Sequence, residues 1–261
     1  LNAKINIFYK FGLKLAMPKL TVIIPTYNED KYLKGALHSV KFADEIIVVD
    51  SLSTDKTVEI AKQHGCKVVS RAFDNFSNQK NYALEFASYE WVLFLDADER
   101  IPHQLQVEIK TAINQSEIKG FKLKFPHFFM NRFLFHQGSS VIRLVQRKEC
   151  KFEGSVHEKL IIPGKIGQLK TSVLHYTYKG FEHYLKKKDS YAWFQAEQML
   201  KKGKKANYFH LAFKPFYRFF HSYIIKGGFK DGLPALAVAA ANAYGVFSRY
   251  AKLMLLQKNL K

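Results

Sequence analysis

Trp91-Val92-Leu93-Phe94-Leu95-Asp96-Ala97-Asp98-Glu99 is the stretch on which the reading of this 261-residue chain turns. An apolar run that breaks into two carboxylates two residues apart reads as a buried strand whose end meets solvent. Carboxylates so placed are hard oxygen ligands. Asp98 can hold Mg²⁺ or Mn²⁺ directly, while Asp96 reaches a substrate hydroxyl or a metal-bound water. Such ions take one or two carboxylates and fill their other positions with phosphate and water. An Asp-x-Asp also fits a plain solvated strand end with a helix cap, so the decision rests on what surrounds it.

Upstream lies Leu20-Thr21-Val22-Ile23-Ile24-Pro25-Thr26-Tyr27-Asn28-Glu29, a β-branched run that Pro25 is expected to cut off, because proline cannot continue a central ladder. Glu45-Ile46-Ile47-Val48-Val49-Asp50-Ser51 is a second buried strand ending on an aspartate. Ser53-Thr54-Asp55 carry helix-start chemistry before a helix over Val58 to His64. Cys66 to Ser70 reads as a third strand with Arg71 just past its end, and Ser77 to Ala87 as the next helix. Strands alternating with helices of about 10–15 residues indicate βαβ units and a largely parallel sheet. Ligands of such sheets bind outside the carboxyl ends of the strands. Pro25-Thr26-Tyr27, Asp50-Ser51, Arg71 and Asp96/Asp98 all fall there.

Pro25-Thr26-Tyr27-Asn28-Glu29, Val49-Asp50-Ser51-x-Ser53-x-Asp55 and Asp96-Ala97-Asp98 together resemble the signature of family 2 glycosyltransferases with the GT-A fold, over roughly Leu20 to Tyr178. The resemblance extends to the bacterial branch that contains lipopolysaccharide-core β-1,4-glucosyltransferases. Phe152-Glu153-Gly154-Ser155-Val156-His157-Glu158 looks like that branch's Phe-x-Gly-x-x-His-Glu, and Gly227-Gly228-Phe229-Lys230-Asp231-Gly232 like its late Gly-Gly-Phe-x-Asp-Gly element. It implies an α/β GT-A (nucleotide-diphospho-sugar transferase) αβα sandwich with a helical, basic C-terminal tail. It further implies inverting, metal-dependent transfer of a hexose, with glucose from UDP-glucose as the suggested donor, to a cell-envelope glycolipid such as the lipopolysaccharide inner core.

Carried over residue by residue, the resemblance makes Asp98 the metal ligand and Asp96 the holder of the donor sugar. Pro25, Tyr27, Glu29 and Asp50 fall on the donor side, with Asp50 accepting from base or ribose. The departing diphosphate needs a cation besides the metal, and Arg71 or Lys80 can supply it; Arg71 reads equally well as a surface arginine. Asn81 is a donor-side amide or a plain helix-surface one. An inverting transfer needs a base for the acceptor hydroxyl, and the family position for it is Glu158, with His157 orienting it or lining the acceptor pocket. His175 matches a late histidine near metal and diphosphate, or is a satisfied core residue. Arg143 meets acceptor or phosphate. The aromatic segment Phe125 to Phe135 is expected to form a mobile acceptor-side region.

Composition is compatible with an enzyme working beside a membrane on its cytoplasmic face. The net charge is +19, and the residues after Gly180 hold thirteen lysines and two arginines against Glu182, Asp189, Glu197 and Asp231, so eleven of those charges lie in the last third. Aromatics from Tyr208 to Tyr223 interleave with Lys214, Arg218 and Lys226, which suits an anionic membrane surface, single-stranded nucleic acid, or an ordinary helical subdomain. Leu233 to Phe247 is apolar but shorter than the ~20 residues a spanning helix needs, which leaves an interfacial or a packed helix. Leu1 to Ala16 lack a signal-peptide pattern and read as an extension before Met17 or a weak basic arm. The domain boundary is expected near Gly180. Two cysteines without metal or redox spacing read as buried thiols in a reducing compartment.

Other classes fit less well. A sugar nucleotidylyltransferase needs a Gly-rich phosphate loop after its first strand, and Pro25–Glu29 contains no glycine. A nucleic-acid binder explains the charge but not the rim carboxylates, and its usual motifs are missing. Transfer to another acceptor, such as capsule, exopolysaccharide or protein, stays open, as does an inactive scaffold.

Overall fold

A computed structural model describes residues 17–154, 159–176 and 180–260. The elements are β1 (Leu20–Thr26), α1 (Asp30–Ser39), β2 (Glu45–Asp50), α2 (Thr57–Gln63), β3 (Lys67–Ser70), α3 (Phe76–Glu85), β4 (Trp91–Phe94), β5 (Glu99–Arg100), α4 (His103–Ala112), β6 (Ile118–Phe129), β7 (Arg132–Gln146), β8 (Lys151–Glu153), β9 (Lys159–Ile161), β10 (Lys165–Ser172), β11 (Leu174–His175), α5 (Phe181–Lys201), α6 (Tyr208–Phe220) and α7 (Leu233–Gln257). They group into two compact units, one of residues up to Leu123 with Ile142–Thr171, the other of Lys124–Val141 with Ser172 onward. Where the sequence offers a single boundary near Gly180, the aromatic segment thus groups with the C-terminal helices, as the tip of the β6–β7 hairpin.

The first unit is built on a seven-stranded sheet in the order β10-β6-β7-β4-β1-β2-β3. The pairs β1–β2, β1–β4 and β2–β3 are parallel, and β7 closes antiparallel on β4. Uninterrupted apolar runs, buried on both faces, form its centre: Val22, Ile23, Ile24, Ile47, Val48, Val49, Val92 and Leu93 are fully buried. The chain leaves β1 toward β2 on one side and returns to β4 on the other. The carboxyl ends of β1 and β4 therefore flank the topological switch point, where open α/β sheets leave a crevice.

Pro25 does not end β1 as expected. The strand runs on to Thr26, with Pro25 opposite Val49 and Thr26 opposite Asp50. The pairing with β4 stops at Ile23 and Phe94, and Ile23 O accepts from Leu95 N. Pro25 thus sits where β1 has a neighbour on one side only, and its missing N–H costs no ladder bond. The helix starts also differ in detail. Asn75 caps α3, accepting from Asn78 N at 2.9 Å; Asp55 accepts from Thr57 N at 2.9 Å at the start of α2, and Ser53, Thr54 and Asp55 also tie two loops together as described below.

In the second unit α7 runs through Gln257, ten residues beyond the apolar stretch, and buries Ala235, Val238, Ala239, Ala241, Tyr250 and Leu253. It is a packed helix. One cluster joins Phe129 and Leu134 to Ala235 and Val238, and another joins Ala196 to Tyr250 and Leu253. Among the described residues no helix is long and apolar enough to cross a membrane. Cys66 and Cys150 are partly buried, and burial pushes both thiols up to about 11.

Candidate active site

The switch-point rim is made from two loops stitched to each other and one turn held in place by an ion-pair network. After β1, Asn28 turns the chain with a left-handed φ of 55°. Its N–H donates to Ser53 Oγ at 2.9 Å and its Oδ1 accepts from Thr54 N at 2.9 Å. Glu29 N donates to Thr57 Oγ1 at 2.8 Å and Asp30 N to Asp55 Oδ2 at 3.1 Å. Short polar side chains here take up the backbone donors of the neighbouring loop, so the two loops form one rigid ledge. Asp50, 2% exposed, lies beneath it and accepts from Thr26 Oγ1, Ser53 N and Ser53 Oγ. Tyr27 is 61% exposed on this ledge. Leu52, exposed beside Asp50, holds a φ of 65°, a conformation that costs a residue with a side chain.

The Asp-x-Asp turn leaves β4 as a tight reversal in which Glu99 N donates to Asp96 O at 3.0 Å. Glu99 is fully buried and accepts from Asp96 N at 2.9 Å. Arg143, on β7, reaches Asp96 Oδ2 at 2.9 Å and Glu99 Oε1 at 3.1 Å. One guanidinium thus neutralises the buried carboxylate and orients the rim carboxylate, as desolvated charges require. Arg100 pins the turn from below, donating to Ala97 O, Glu99 O and Tyr32 O at 2.7–2.9 Å. It passes flat over Gly35 of α1, where a Cβ would lie 2.5 Å from the guanidinium. Asp96 and Asp98 are both partly exposed at the crest of the turn.

Among the remaining sequence candidates, Arg71 follows β3 and forks onto Asp74 at 2.7 and 2.9 Å, with Gln79 Oε1 at 3.0 Å. The Arg71 guanidinium holds the Asp74 carboxyl below the usual carboxylate range. Lys80 is 7% exposed and lies 5.2 Å from the Phe152 ring centroid. Asn81 acts as a clamp on β8. Its Nδ2 donates to Phe152 O and its Oδ1 accepts from Phe152 N, each at 2.9 Å. Ser77 adds a bond to Gly154 O. Helix α3 thus supports the strand that leads toward His157 and Glu158, and those two residues lie outside the described ones. Arg143 is placed against the acidic turn. His175, on β11, belongs to the second unit and lines its cavity with Phe125 and Tyr184.

Three residues at the rim escaped the sequence reading. Glu99 and Arg100 follow the Asp-x-Asp directly, and an acid beside a base there was a usable signal. Gln79 gave none. It is 1% exposed and donates to Ser51 Oγ at 3.0 Å, joining α3 to the Asp50 loop.

The donor set at the crest suits a hard divalent ion. Asp98 offers carboxylate oxygen from a partly exposed position at a strand end, and sites that share an ion with substrate phosphates use such carboxylates. Among the described residues no group of three His, Cys, Asp or Glu side chains is gathered to hold an ion without such help.

Comparison with known proteins bears on this geometry. The glycosyl transferase family 2 model matches residues 21–175, which contain both loops, the acidic turn and β8. An uncharacterized glycosyltransferase of Rickettsia felis is 32% identical over 254 residues, covering 91% of this chain and 90% of its own. The lipopolysaccharide core biosynthesis glycosyltransferase LpsC of Rhizobium meliloti is 27% identical, covering 91% and 93%. Among solved structures, glucosyl-3-phosphoglycerate synthase from Mycobacterium tuberculosis, in complex with Mn²⁺ and UDP, is 26% identical over 41% of this chain and 44% of its own, with a TM-score of 0.37. With the family's segment covering the whole rim and a relative matching nearly end to end, the chain is a member of glycosyl transferase family 2, an α/β glycosyltransferase carrying a helical C-terminal unit.

Proposed function

We propose that the chain is an inverting, metal-dependent hexosyltransferase that moves glucose from UDP-glucose to a cell-envelope glycolipid, such as the lipopolysaccharide inner core. The observation that carries this reading is the acidic turn at the switch point, held by Arg143 and Arg100 and presenting Asp96 and Asp98. Asp98 would hold Mg²⁺ or Mn²⁺, and when bound the ion supplies Lewis-acid stabilisation of the leaving diphosphate. Asp96, oriented by Arg143, accepts hydrogen bonds from donor hydroxyls. Tyr27, exposed on the stitched ledge, offers a face on which a base can stack, and buried Asp50 fixes the loop under it while keeping carboxylate lone pairs for the nucleoside. Glu158 remains the proposed base; Asn81 and Ser77 anchor the strand that precedes it.

The glycolipid acceptor is favoured by the lipopolysaccharide-core name of the Rhizobium relative and by the second unit's surface. Helix α6 buries none of its residues, and Tyr208, Phe209, Phe213, Phe216, Tyr217 and Phe220 are all exposed, interleaved with Lys214 and Arg218. An apolar patch with cations among it suits peripheral attachment to an anionic membrane, here the cytoplasmic face where nucleotide sugars are made available. The test is thermal protection by UDP with and without Mg²⁺ or Mn²⁺, followed by transfer from a panel of nucleotide sugars to purified core glycolipid. Metal-dependent protection and glucose transfer are expected. Protection by no nucleoside diphosphate would overturn the reading.

A further inference from the structure

The second unit contains a cavity of about 350 Å³, at the small end of the range for small-molecule sites. Among the described residues three cations line it: Lys188 from α5, Arg218 from α6, and Lys226 from the segment between α6 and α7. Among the described residues no Asp or Glu lines the cavity, and none of these cations forms an ion pair. Acids are available on α5 but are used elsewhere: Glu182 pairs with Lys186 at 2.7 Å, and Asp189 with Lys252. Lys188 is half-buried, whereas Arg218 and Lys226 are exposed; like charges gathered around one concavity repel each other and attract an anion.

The rest of the lining suits a sugar carrying that anion. Tyr184 forms an aromatic wall and steadies Lys188, whose ammonium lies 5.0 Å from its ring centroid. The Tyr184 hydroxyl donates to Asn242 Oδ1 at 3.4 Å, which leaves the Asn242 amide N–H₂ as a donor. His127, stacked edge-on to Tyr184, contributes a ring that burial and Lys188 lower to about 4, so it is neutral at pH 7 and can donate without adding charge. The Lys188 ammonium is itself disfavoured by burial and by Arg218, a cost that a bound oxyanion removes.

We propose that this cavity is an oxyanion site that holds a phosphoryl or carboxylate group carried by the acceptor, with Lys188 and Arg218 as the charge-bearing contacts. The assignment to the acceptor rests on the transferase reading above; the presence of the site does not. Arginine's planar fork and lysine's point charge together match either group.

Titration calorimetry on the full chain with glucose 6-phosphate, glucuronate, inorganic phosphate, glucose and UDP tests it. The anionic sugars should bind saturably, phosphate more weakly, and glucose not at all. Lys188→Gln and Arg218→Gln should each lower anionic-sugar affinity at least tenfold and leave UDP affinity unchanged, while Lys201→Gln, on the exposed side of α5, changes neither. Melting curves of the variants establish that each is folded. Equal binding of glucose and glucose 6-phosphate would overturn the proposal, as would unchanged affinity in both variants. So would a parallel loss of UDP affinity, because the cations would then serve the donor's diphosphate. Anionic-sugar binding by a wild-type chain that binds no UDP would support the site and refute the transferase reading alone.

Discussion

The rim of the first unit and the cavity of the second handle charge in opposite ways. At the first unit's rim, opposite charges are matched at contact distance: Arg143 with Asp96 and Glu99, and Arg71 with Asp74. In the second unit's cavity, Lys188, Arg218 and Lys226 gather with no acid among the described lining residues. Matched charges hold a shape before any ligand arrives, the preorganisation that transition-state stabilisation needs. Unmatched charges leave attraction to be spent on a ligand. Catalytic precision should therefore belong to the first unit and acceptor capture to the second.

The sharpest way to break this contrast is Asp98→Ala. Loss of the carboxylate that would share an ion with the diphosphate should remove several kcal/mol of transition-state stabilisation, at least roughly 10³-fold in turnover, with melting unchanged. Full activity of that variant in EDTA would remove the metal from the reading. Glu158→Gln should lower kcat by about 10²–10⁴-fold while donor affinity survives; a change in donor affinity alone would make Glu158 a binding residue.

Arg143→Met probes the matched network through stability. Glu99 would be left buried without its guanidinium, a loss of about 3–5 kcal/mol, read as a lower denaturation midpoint. Arg143→Met paired with Glu99→Leu should recover part of it. If Arg143→Met melts like the parent, the network is not what holds the turn.

How much of this was legible in the sequence depends on the range of the interaction. The core strands and the rim carboxylates show because a buried parallel strand is a local pattern, and its polar end stands out against it. Pro25 was misjudged because whether a proline interrupts a ladder depends on how far the neighbouring strand extends, and β4 stops short of it. Asn81 looked like a donor-side or surface amide, yet it clamps Phe152 seventy-one residues away. The association of Lys124–Val141 with the C-terminal helices is equally non-local. The cationic cavity was visible only as composition, since no spacing relates Lys188, Arg218 and Lys226.

Two smaller effects sharpen the second half of the contrast. His127 is lowered to about 4 in the fold, below its ordinary 6.5. The unfolded chain therefore binds its proton first, and the stability due to neutral His127 is full above pH 6.5 and lost as pH falls toward 4. That contribution is about 1–3 kcal/mol. His127→Leu should flatten the acid limb of a stability–pH curve over that window, and an unaltered limb would count against the buried, cation-flanked setting. At the surface, Lys214→Gln should weaken co-sedimentation with anionic vesicles by roughly fivefold at low salt, about 1 kcal/mol, and Phe216→Ser should add to it. Truncation after Gly203 is a poor substitute, because it removes Tyr250 and Leu253 from the cluster around Ala196. Equal pelleting of all variants would leave α6 without a membrane role.

The flat passage of Arg100 over Gly35 has a consequence for anyone engineering this chain. By helix propensity alone, alanine in place of a mid-helix glycine is a gain of up to ~1 kcal/mol, and stability design would select Gly35→Ala early. Here the new methyl would displace a guanidinium that ties α1 to the acidic turn. The substitution should raise neither melting temperature nor yield, and it should impair sugar transfer although no acid or base of the rim has changed. A survey of natural or engineered variants that watched only the carboxylates would pass over this silent lesion.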